Sequence, residues 1–190
     1  MSVFVNDRQP HWLQGARHVA SPNCNERPDP DDISLIVVHG ISLPPGQFGA
    51  GYIEPFFLNQ LCSDDHPYFK TIEGLTVSSH LLIERSGEIV QFVGFDQRAW
   101  HAGNSEFAGR GDCNDFSIGI ELEGTDTEPY TDAQYQQLIQ VIHALHAAYP
   151  KTQSNPVVGH CHIAPGRKTD PGDAFEWQKL SQAGVSVWTE

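Results

Sequence analysis

The amino-acid sequence predicts an α/β domain of the α+β type, in which helices flank a central mixed β-sheet. Short apolar runs rich in β-branched residues indicate the strands. Ser86-Gly87, between two of these runs, predicts a tight hairpin. We expect strands at Leu35–His39, Val77–Glu84, Glu88–Val93, Ser117–Leu122 and near Val157–His160.

The clearest predicted helix runs from about Asp132 to Ala148. Thr131 and Gln134 have the spacing of a capping box at its start, and Pro150 follows its end. Apolar residues recur at helical spacing through the segment, at Tyr135, Leu138, Ile139, Ile142, Leu145 and Tyr149. Shorter helices are expected at Ile53–Leu61 and Ala174–Ser181.

Length and charge restrict the class of protein. The chain has 190 residues, enough to bury a sizeable core, and lacks repeats or linkers, so we expect a single domain over residues 1–190. Eleven basic against 24 acidic residues give a net charge of −13, which argues against nucleic acid or anionic membranes as partners. The sequence indicates no obligate protein partner.

The N-terminal segment predicts a cytoplasmic location. Residues 1–22 contain several charged and polar residues and no apolar stretch typical of a secretory signal, and no segment approaches the ~18 apolar residues of a membrane span. The cysteines need no pairing in a reducing cytoplasm, and we expect ordinary small buried residues at Cys24, Cys62, Cys113 and Cys161.

The segment from Gly159 to Gly172 contains two potential metal ligands. His160 and Asp170 offer the nitrogen and oxygen donors that Zn²⁺ prefers, and a catalytic zinc site needs three protein ligands and an open position. Near such a metal, Lys168 would stabilise an oxyanion that forms on a substrate carbonyl. Cys161 is the weaker candidate, because a strand here would point it away from both neighbouring histidines.

His39 is the predicted third ligand. It follows a continuously apolar run and precedes Gly40, so it should lie at or next to the carboxyl end of a buried strand. Sites in open α/β sheets are usually built at that edge. A histidine that ends a strand is often only structural, so the prediction depends on the combination with His160 and Asp170.

Glu121 completes the candidate site. Residues 117–124 alternate strictly, with apolar side chains on one face of a strand and Gly119, Glu121 and Glu123 on the other. We expect Gly119 to leave space beside Glu121 for a ligand or a metal-bound water. Glu123 is expected to lie on a solvated strand face.

These motifs resemble the AmpD family of zinc amidases, the 1,6-anhydro-N-acetylmuramyl-L-alanine amidases of peptidoglycan recycling. The wider superfamily commonly has Tyr before the histidine of its second strand and Cys as its last metal ligand. This chain has Ser79 before His80, and Asp170 as the last ligand, and both residues favour the AmpD branch. His80 is then expected to be structural. The matching segments include Ser21-Pro22-Asn23, Val37-Val38-His39, Ile41–Gly46, His66–Phe69, Arg98–Gly103, Cys113–Ser117, Gly119–Thr127 and Arg167–Gly172.

The resemblance implies a fold like that of amidases and peptidoglycan recognition proteins. It implies that His39, His160 and Asp170 hold zinc, that Glu121 is the general acid/base, and that Lys168 steadies the tetrahedral intermediate. The reaction would be hydrolysis of the amide between the lactyl group of (1,6-anhydro)-N-acetylmuramic acid and L-alanine of the stem peptide. The alternatives are a non-catalytic muropeptide sensor and a cell-wall amidase that acts on intact peptidoglycan.

The muropeptide substrate is acidic, as is the chain, so local cations are expected to meet the substrate carboxylates. Arg110 and Arg167 are the candidates. Trp100 and His101 are expected to line the groove, since Trp suits contact with sugar or peptide. The segment Leu43–Phe69, rich in Pro, Gly and Phe, is expected to form a wall or lid.

Two positions depart from the family pattern. Gly40 stands where cytoplasmic members usually have Asn, which would remove a polar contact to substrate. His162 stands where Asp or Asn is common, and we expect it to be structural or to lie outside the metal's ligand set.

Overall fold

A computed structural model gives the backbone of residues 4–6 and 9–189 and the side chains of residues 10–189. The predicted domain 1–190 and the N-terminal segment 1–22 therefore extend partly outside the described residues.

The chain alternates short strands with few helices. The strands are β1 Phe4–Asn6, β2 Gln9–Gln14, β3 Arg17–His18, β4 Cys24–Glu26, β5 Leu35–Ile41, β6 Leu81–Ile83, β7 Ile89–Gln91, β8 Gln97–Ala99, β9 Glu106–Phe107, β10 Arg110–Gly111, β11 Ser117–Glu123 and β12 Val158–Gly159. The α-helices are α1 Ile53–Phe57, α2 Asp132–Ala148, α3 His160–Ile163 and α4 Trp177–Gln182. Short 3₁₀ helices cover Pro67–Thr71, Cys113–Asp115 and Pro150–Ser154.

Within the described residues, six strands form the central sheet in the order β12-β5-β11-β6-β7-β3. The pairs β12–β5, β5–β11 and β11–β6 are parallel, whereas β6 and β7 form an antiparallel hairpin. The sheet is therefore mixed, as predicted. The longest pair of the sheet is β5 with β11: all seven residues of each strand are paired, from Ser117 beside Leu35 to Glu123 beside Ile41.

Side chains alternate between the two faces of β5 and β11, and the two faces have different surroundings. Ile36, Val38, Ile118, Ile120 and Leu122 point to one face and join a core with α2. The intervening residues point to the other face, where Leu35 and Val37 pack against Phe116 and Val158. Because the side-chain period is two, His39 and Glu121 must lie on this second face.

Helix α2 is fixed to the sheet at its first turn. Thr131 and Gln134 form the predicted capping box, with Gln134 N donating to Thr131 Oγ1 at 3.1 Å and Gln134 Oε1 accepting from Thr131 N at 3.0 Å. The Gln134 amide also donates to the carbonyl oxygens of Ile83 and Glu123, at the ends of β6 and β11. The cap thus sets the position of the helix along the strands.

The predicted fold class is confirmed, as are the strands β5 and β11, the helix α2 and the hairpin. The expected strand Val77–Glu84 is wrong in extent: β6 begins only at Leu81, because the backbone of residues 77 and 78 bonds to Asn23 and Trp100 instead. The expected helices Ile53–Leu61 and Ala174–Ser181 are shorter or shifted, as α1 and α4. Among the described residues, no helix is long and apolar enough to cross a membrane.

Replacing Thr131 by Ala should lower the free energy of unfolding by about 1 kcal/mol, because the cap of α2 loses its acceptor. Urea denaturation followed by circular dichroism measures the change. The matched control is Thr127→Ala, at an exposed position in the loop before the helix. Equal stability of the two variants would contradict a stabilising cap.

Candidate metal centre and active site

The carboxyl ends of β5 and β11 bring the first two site residues together. Glu121 is the register partner of His39, so their side chains stand next to each other on the face opposite α2. His39 is buried, and its Nδ1 lies 4.0 Å from Glu121 Oε1. The expectation that His39 lies near a strand's carboxyl end is thus met, although β5 continues to Ile41.

His160 and Asp170 come from the segment that follows β12. The parallel pairing of β12 with β5 carries the chain to the same edge, where His160 begins the short helix α3. The chain then returns, and Cys161 N donates to the Asp170 carbonyl at 2.9 Å. This bond holds Asp170 against the start of α3. The expected strand through His160 is wrong at this residue, which is helical.

Three potential donor atoms meet at this point. His39 Nδ1 lies 3.0 Å from His160 Nδ1 and 3.3 Å from Asp170 Oδ2, and His160 Nδ1 lies 3.1 Å from the same oxygen. Burial, reinforced by nearby His160, lowers the pKa of His39 to about 4. Burial alone would raise the pKa of Asp170, but its close contacts with the His160 and His39 imidazoles hold it well below its ordinary value. A neutral imidazole and an ionised carboxylate are the forms that bind a cation.

Glu121 is mostly buried beside these donors. Its side chain is 12% exposed, and none of the described residues hydrogen-bonds to its Oε2. Burial raises the pKa of Glu121 well above its ordinary value, the charge of Asp170 adds to this, and Lys168 opposes it. A carboxyl group with a raised pKa is suited to accept a proton and to return it.

The site opens into a cavity of about 450 Å³. Lys168 is exposed and lines it together with His39, Glu121, His160 and Asp170. An apolar part of the lining comes from the segment after β5, with Phe56, Phe57, Tyr68, Ile72 and Leu75. The sequence had indicated a wall from Leu43–Phe69, and the cavity includes residues from both ends of that segment.

The predicted substrate-binding residues separate into two groups. Trp100 and His101 line the cavity. Arg110 instead pairs with Asp32 at 2.7 Å and lies over the Phe116 ring. Arg167 donates to the carbonyl oxygens of Ala102 and Asn104. Neither arginine is among the described residues that line the cavity.

Two expectations about β11 are wrong. Gly119 does not leave space for a ligand, because the His101 ring fills it: a Cβ at residue 119 would lie 2.5 Å from that ring. Glu123 is not on a solvated face. It is 5% exposed and accepts hydrogen bonds from the backbone N–H groups of Gly49 and Arg85. Both glutamates of this face are therefore buried, but only Glu123 is fully bound.

The expectation of four buried cysteines is also only partly correct. Cys113 is buried, Cys24 and Cys161 are partly exposed, and Cys62 is exposed. All four are free thiols. The metal donor cluster found among the described residues contains His39, His160 and Asp170, without Cys161.

The two departures from the family pattern have structural consequences. At Gly40 a Cβ would collide with the Tyr130 hydroxyl, which donates to the Pro171 carbonyl next to Asp170 at 2.9 Å. A tyrosine thus occupies the space of a side chain at residue 40. His162 Nδ1 accepts from Gly159 N at 2.9 Å, and its ring packs on Trp177.

Sequence patterns missed two residues that hold the site's surroundings. Asn114 Oδ1 accepts from the backbone N–H groups of His101 and Ala102 at 3.1 and 2.8 Å. Arg27 is buried and donates to the carbonyl oxygens of Asn114, Asp115 and Ser117, and burial lowers its pKa to about 10. Asn114 lies within the matching segment Cys113–Ser117, but nothing in the local sequence around either residue indicated its partners.

Comparison with known proteins identifies the class. Residues 29–173 match the N-acetylmuramoyl-L-alanine amidase family, and the chain belongs to this family. It is 59% identical over 169 residues to the 1,6-anhydro-N-acetylmuramyl-L-alanine amidase AmpD of Salmonella typhimurium strain SL1344, covering 89% of this chain and 90% of that protein.

Solved structures agree with this assignment. A crystal structure of a selenomethionine derivative of AmpD superposes with a TM-score of 0.89 at 57% identity, covering 91% of this chain and 96% of that one. A more distant match, at 28% identity and a TM-score of 0.63, is AmpDH3 from Pseudomonas aeruginosa in complex with anhydromuramic pentapeptide; it covers 86% of this chain and 64% of that one.

Replacing His39, His160 or Asp170 by Ala should abolish stoichiometric metal binding, because three protein ligands leave no redundancy in a tetrahedral site. Elemental analysis after loading with zinc and desalting measures the bound metal. His162→Ala is the control and should keep its metal. Full metal content in Asp170→Ala, or its loss in His162→Ala, would contradict this ligand set.

Proposed function

We propose that this protein hydrolyses the amide bond between the lactyl group of 1,6-anhydro-N-acetylmuramic acid and L-alanine of the stem peptide, in peptidoglycan recycling, with zinc as cofactor. The proposal is supported by membership of the amidase family and by the identity to an AmpD protein over most of both chains. A distant relative with anhydromuramic pentapeptide bound supports a muropeptide as the small-molecule substrate.

His39 Nδ1, His160 Nδ1 and Asp170 Oδ2 form a triangle of potential ligand atoms, the donor triangle, and its dimensions support zinc as the metal. Zn–N and Zn–O distances of about 2.0–2.1 Å place the ligand atoms of a tetrahedral site about 3.3 Å apart. The separations here are 3.0, 3.1 and 3.3 Å, which approximates one face of such a tetrahedron. His39, His160 and Asp170 would hold the ion beside the cavity, which they help to line.

Zinc in this position would supply Lewis acidity and make a water molecule acidic at neutral pH. Glu121 takes the proton from the attacking water and later returns it to the departing amine of L-alanine. Its raised pKa suits both tasks, and its unbonded Oε2 is available for them. Lys168 stabilises the negative charge that develops on the carbonyl oxygen.

The cavity walls suggest how substrate is held. The apolar part of the lining can cover the sugar and peptide, and Trp100 adds an amphipathic surface to the same cavity. The ring N–H of Trp100 donates to Asn25 Oδ1 at 2.6 Å, which fixes its orientation. Arg110 and Arg167 are held by other groups, so Lys168 supplies the positive charge among the described residues that line the cavity.

We further propose that residues 1–190 act as one catalytic domain in the cytoplasm. The family match spans most of the chain. Strand β3, before the start of the match, belongs to the central sheet, and Val187, after its end, forms a bridge with Val157 next to β12. Cell fractionation tests the location.

The proposed function is tested by turnover of anhydromuropeptide with apo and zinc-loaded protein. Mass spectrometry should find free stem peptide and anhydro-N-acetylmuramic acid only with the zinc-loaded form, and slower release from intact sacculi. Binding without turnover would make the protein a muropeptide sensor, and faster release from sacculi would make it a cell-wall amidase.

Glu121→Gln should bind zinc normally but lower kcat by at least ~10²-fold, because the proton-transfer group is lost. The control is Glu128→Gln, which changes an exposed glutamate in the loop before α2. Glu123 is unsuitable as a control, because it is buried and holds two backbone N–H groups. Near wild-type kcat in Glu121→Gln would exclude Glu121 as the acid/base.

Lys168→Met should lower kcat by roughly 10²–10³-fold with a smaller change in KM, since its ammonium acts mainly on charge that develops in the transition state. Zinc content should stay constant. Steady-state kinetics of the variant and of the exposed Lys151→Met control measure the effect. A steep rise in KM at constant kcat would instead make Lys168 an anchor for a substrate carboxylate.

A further inference from the structure

His101 lies between a proposed zinc ligand and a buried serine. Its Nδ1 is 2.9 Å from His39 Nε2, on the side of His39 opposite the donor triangle. Its Nε2 is 3.2 Å from Ser117 Oγ. His39, His101 and Ser117 are all buried, at 1, 9 and 0% exposure, so each of these polar atoms needs a partner within the protein.

Only one arrangement of hydrogens satisfies this chain of neutral groups. Ser117 Oγ donates its single hydrogen to the Cys113 carbonyl at 2.5 Å, so it must accept from His101. His101 therefore carries its hydrogen on Nε2 and has a lone pair on Nδ1. That lone pair accepts from Nε2–H of His39, which leaves the lone pair of His39 on Nδ1, directed at His160 and Asp170.

The fold holds His101 in this place from two sides. Asn114 Oδ1 accepts from the backbone N–H groups of residues 101 and 102. The ring occupies the space opened by Gly119, where a Cβ would lie 2.5 Å from it. The next residue serves the other proposed histidine ligand: the Ala102 carbonyl accepts from His160 Nε2 at 3.1 Å, so His160 also presents Nδ1.

We propose that His101 is a positioning residue that fixes the tautomer and ring orientation of His39 for zinc, with Ser117 fixing His101 in turn. This replaces the substrate contact expected of His101 from the sequence. The inference rests on the zinc site of the proposed function. A hydrogen-bonded partner on the second nitrogen of a histidine ligand typically contributes 10–100-fold to metal affinity.

The zinc dissociation constant, measured by competition with a chelator, tests the role of His101. His101→Leu removes the acceptor and should weaken zinc binding by about 10–100-fold. His101→Asn places a side-chain oxygen near the position of Nδ1 and should restore most of the affinity. His143→Leu, at an exposed site on α2, is the matched control and should bind zinc like the wild type.

The outcomes separate this inference from the proposed function. Failure of the wild-type protein to bind zinc would overturn both. Wild-type zinc affinity in His101→Leu, with or without a raised KM for muropeptide, would overturn the positioning role alone. Equal losses in the Leu and Asn variants would also contradict it, since a general packing defect and not the acceptor would then be responsible.

A second test begins with the wild-type protein, so its main result does not depend on the folding of a variant. Imidazole ¹⁵N NMR of the zinc-loaded wild-type protein should show His101 with its hydrogen on Nε2 and a bare Nδ1. Ser117→Ala removes the group that selects this form and should allow the other tautomer to appear. A wild-type His101 with its hydrogen on Nδ1 would overturn the proposal, because that nitrogen could not accept from His39.

Discussion

The parallel pairing of β5 with β11 is the constraint on which the site depends. Seven residues of each strand are in register, and this register sets Glu121 beside His39. The same alternation directs Ile36, Val38 and the isoleucines of β11 into the core under α2. A shift of one residue would turn Glu121 into that apolar core and expose its hydrophobic neighbours. The register that packs the core against α2 is therefore the same register that positions Glu121 beside His39.

Around this pair, the protein gives almost every buried polar atom a partner. Asn114 and Arg27 bind the backbone that leads to Ala102 and β11, and the Ala102 carbonyl and His101 engage the far nitrogens of His160 and His39. Such groups would be costly to bury unpaired. The exception beside the donor triangle is Glu121 Oε2, which none of the described residues binds. An unpaired buried carboxyl oxygen beside the cavity supports the proposed role of Glu121 in proton transfer.

Sequence reasoning succeeded where the signal was local. A continuous apolar run predicted β5, period-two alternation predicted β11, and the capping box predicted the start of α2, because each signal depends on neighbouring residues. It also selected the histidine, aspartate and glutamate residues that meet at the sheet edge, through their combination and a family resemblance. It failed where distant segments meet: the ring of His101 fills the space beside Gly119, and Glu123 binds the backbone of Gly49 and Arg85. No local pattern contains those contacts.

X-ray absorption at the zinc K edge tests the central claim most directly, because it reports which atoms surround the metal. For zinc-loaded protein the structure predicts a four-coordinate site with only nitrogen and oxygen neighbours at about 2.0–2.1 Å, two of them imidazoles. Cys161 is a free thiol next to His160 in the chain, so its sulfur is the alternative metal ligand that this measurement can detect. A sulfur neighbour at about 2.3 Å, or a shell with a single imidazole, would contradict the site formed by His39, His160 and Asp170.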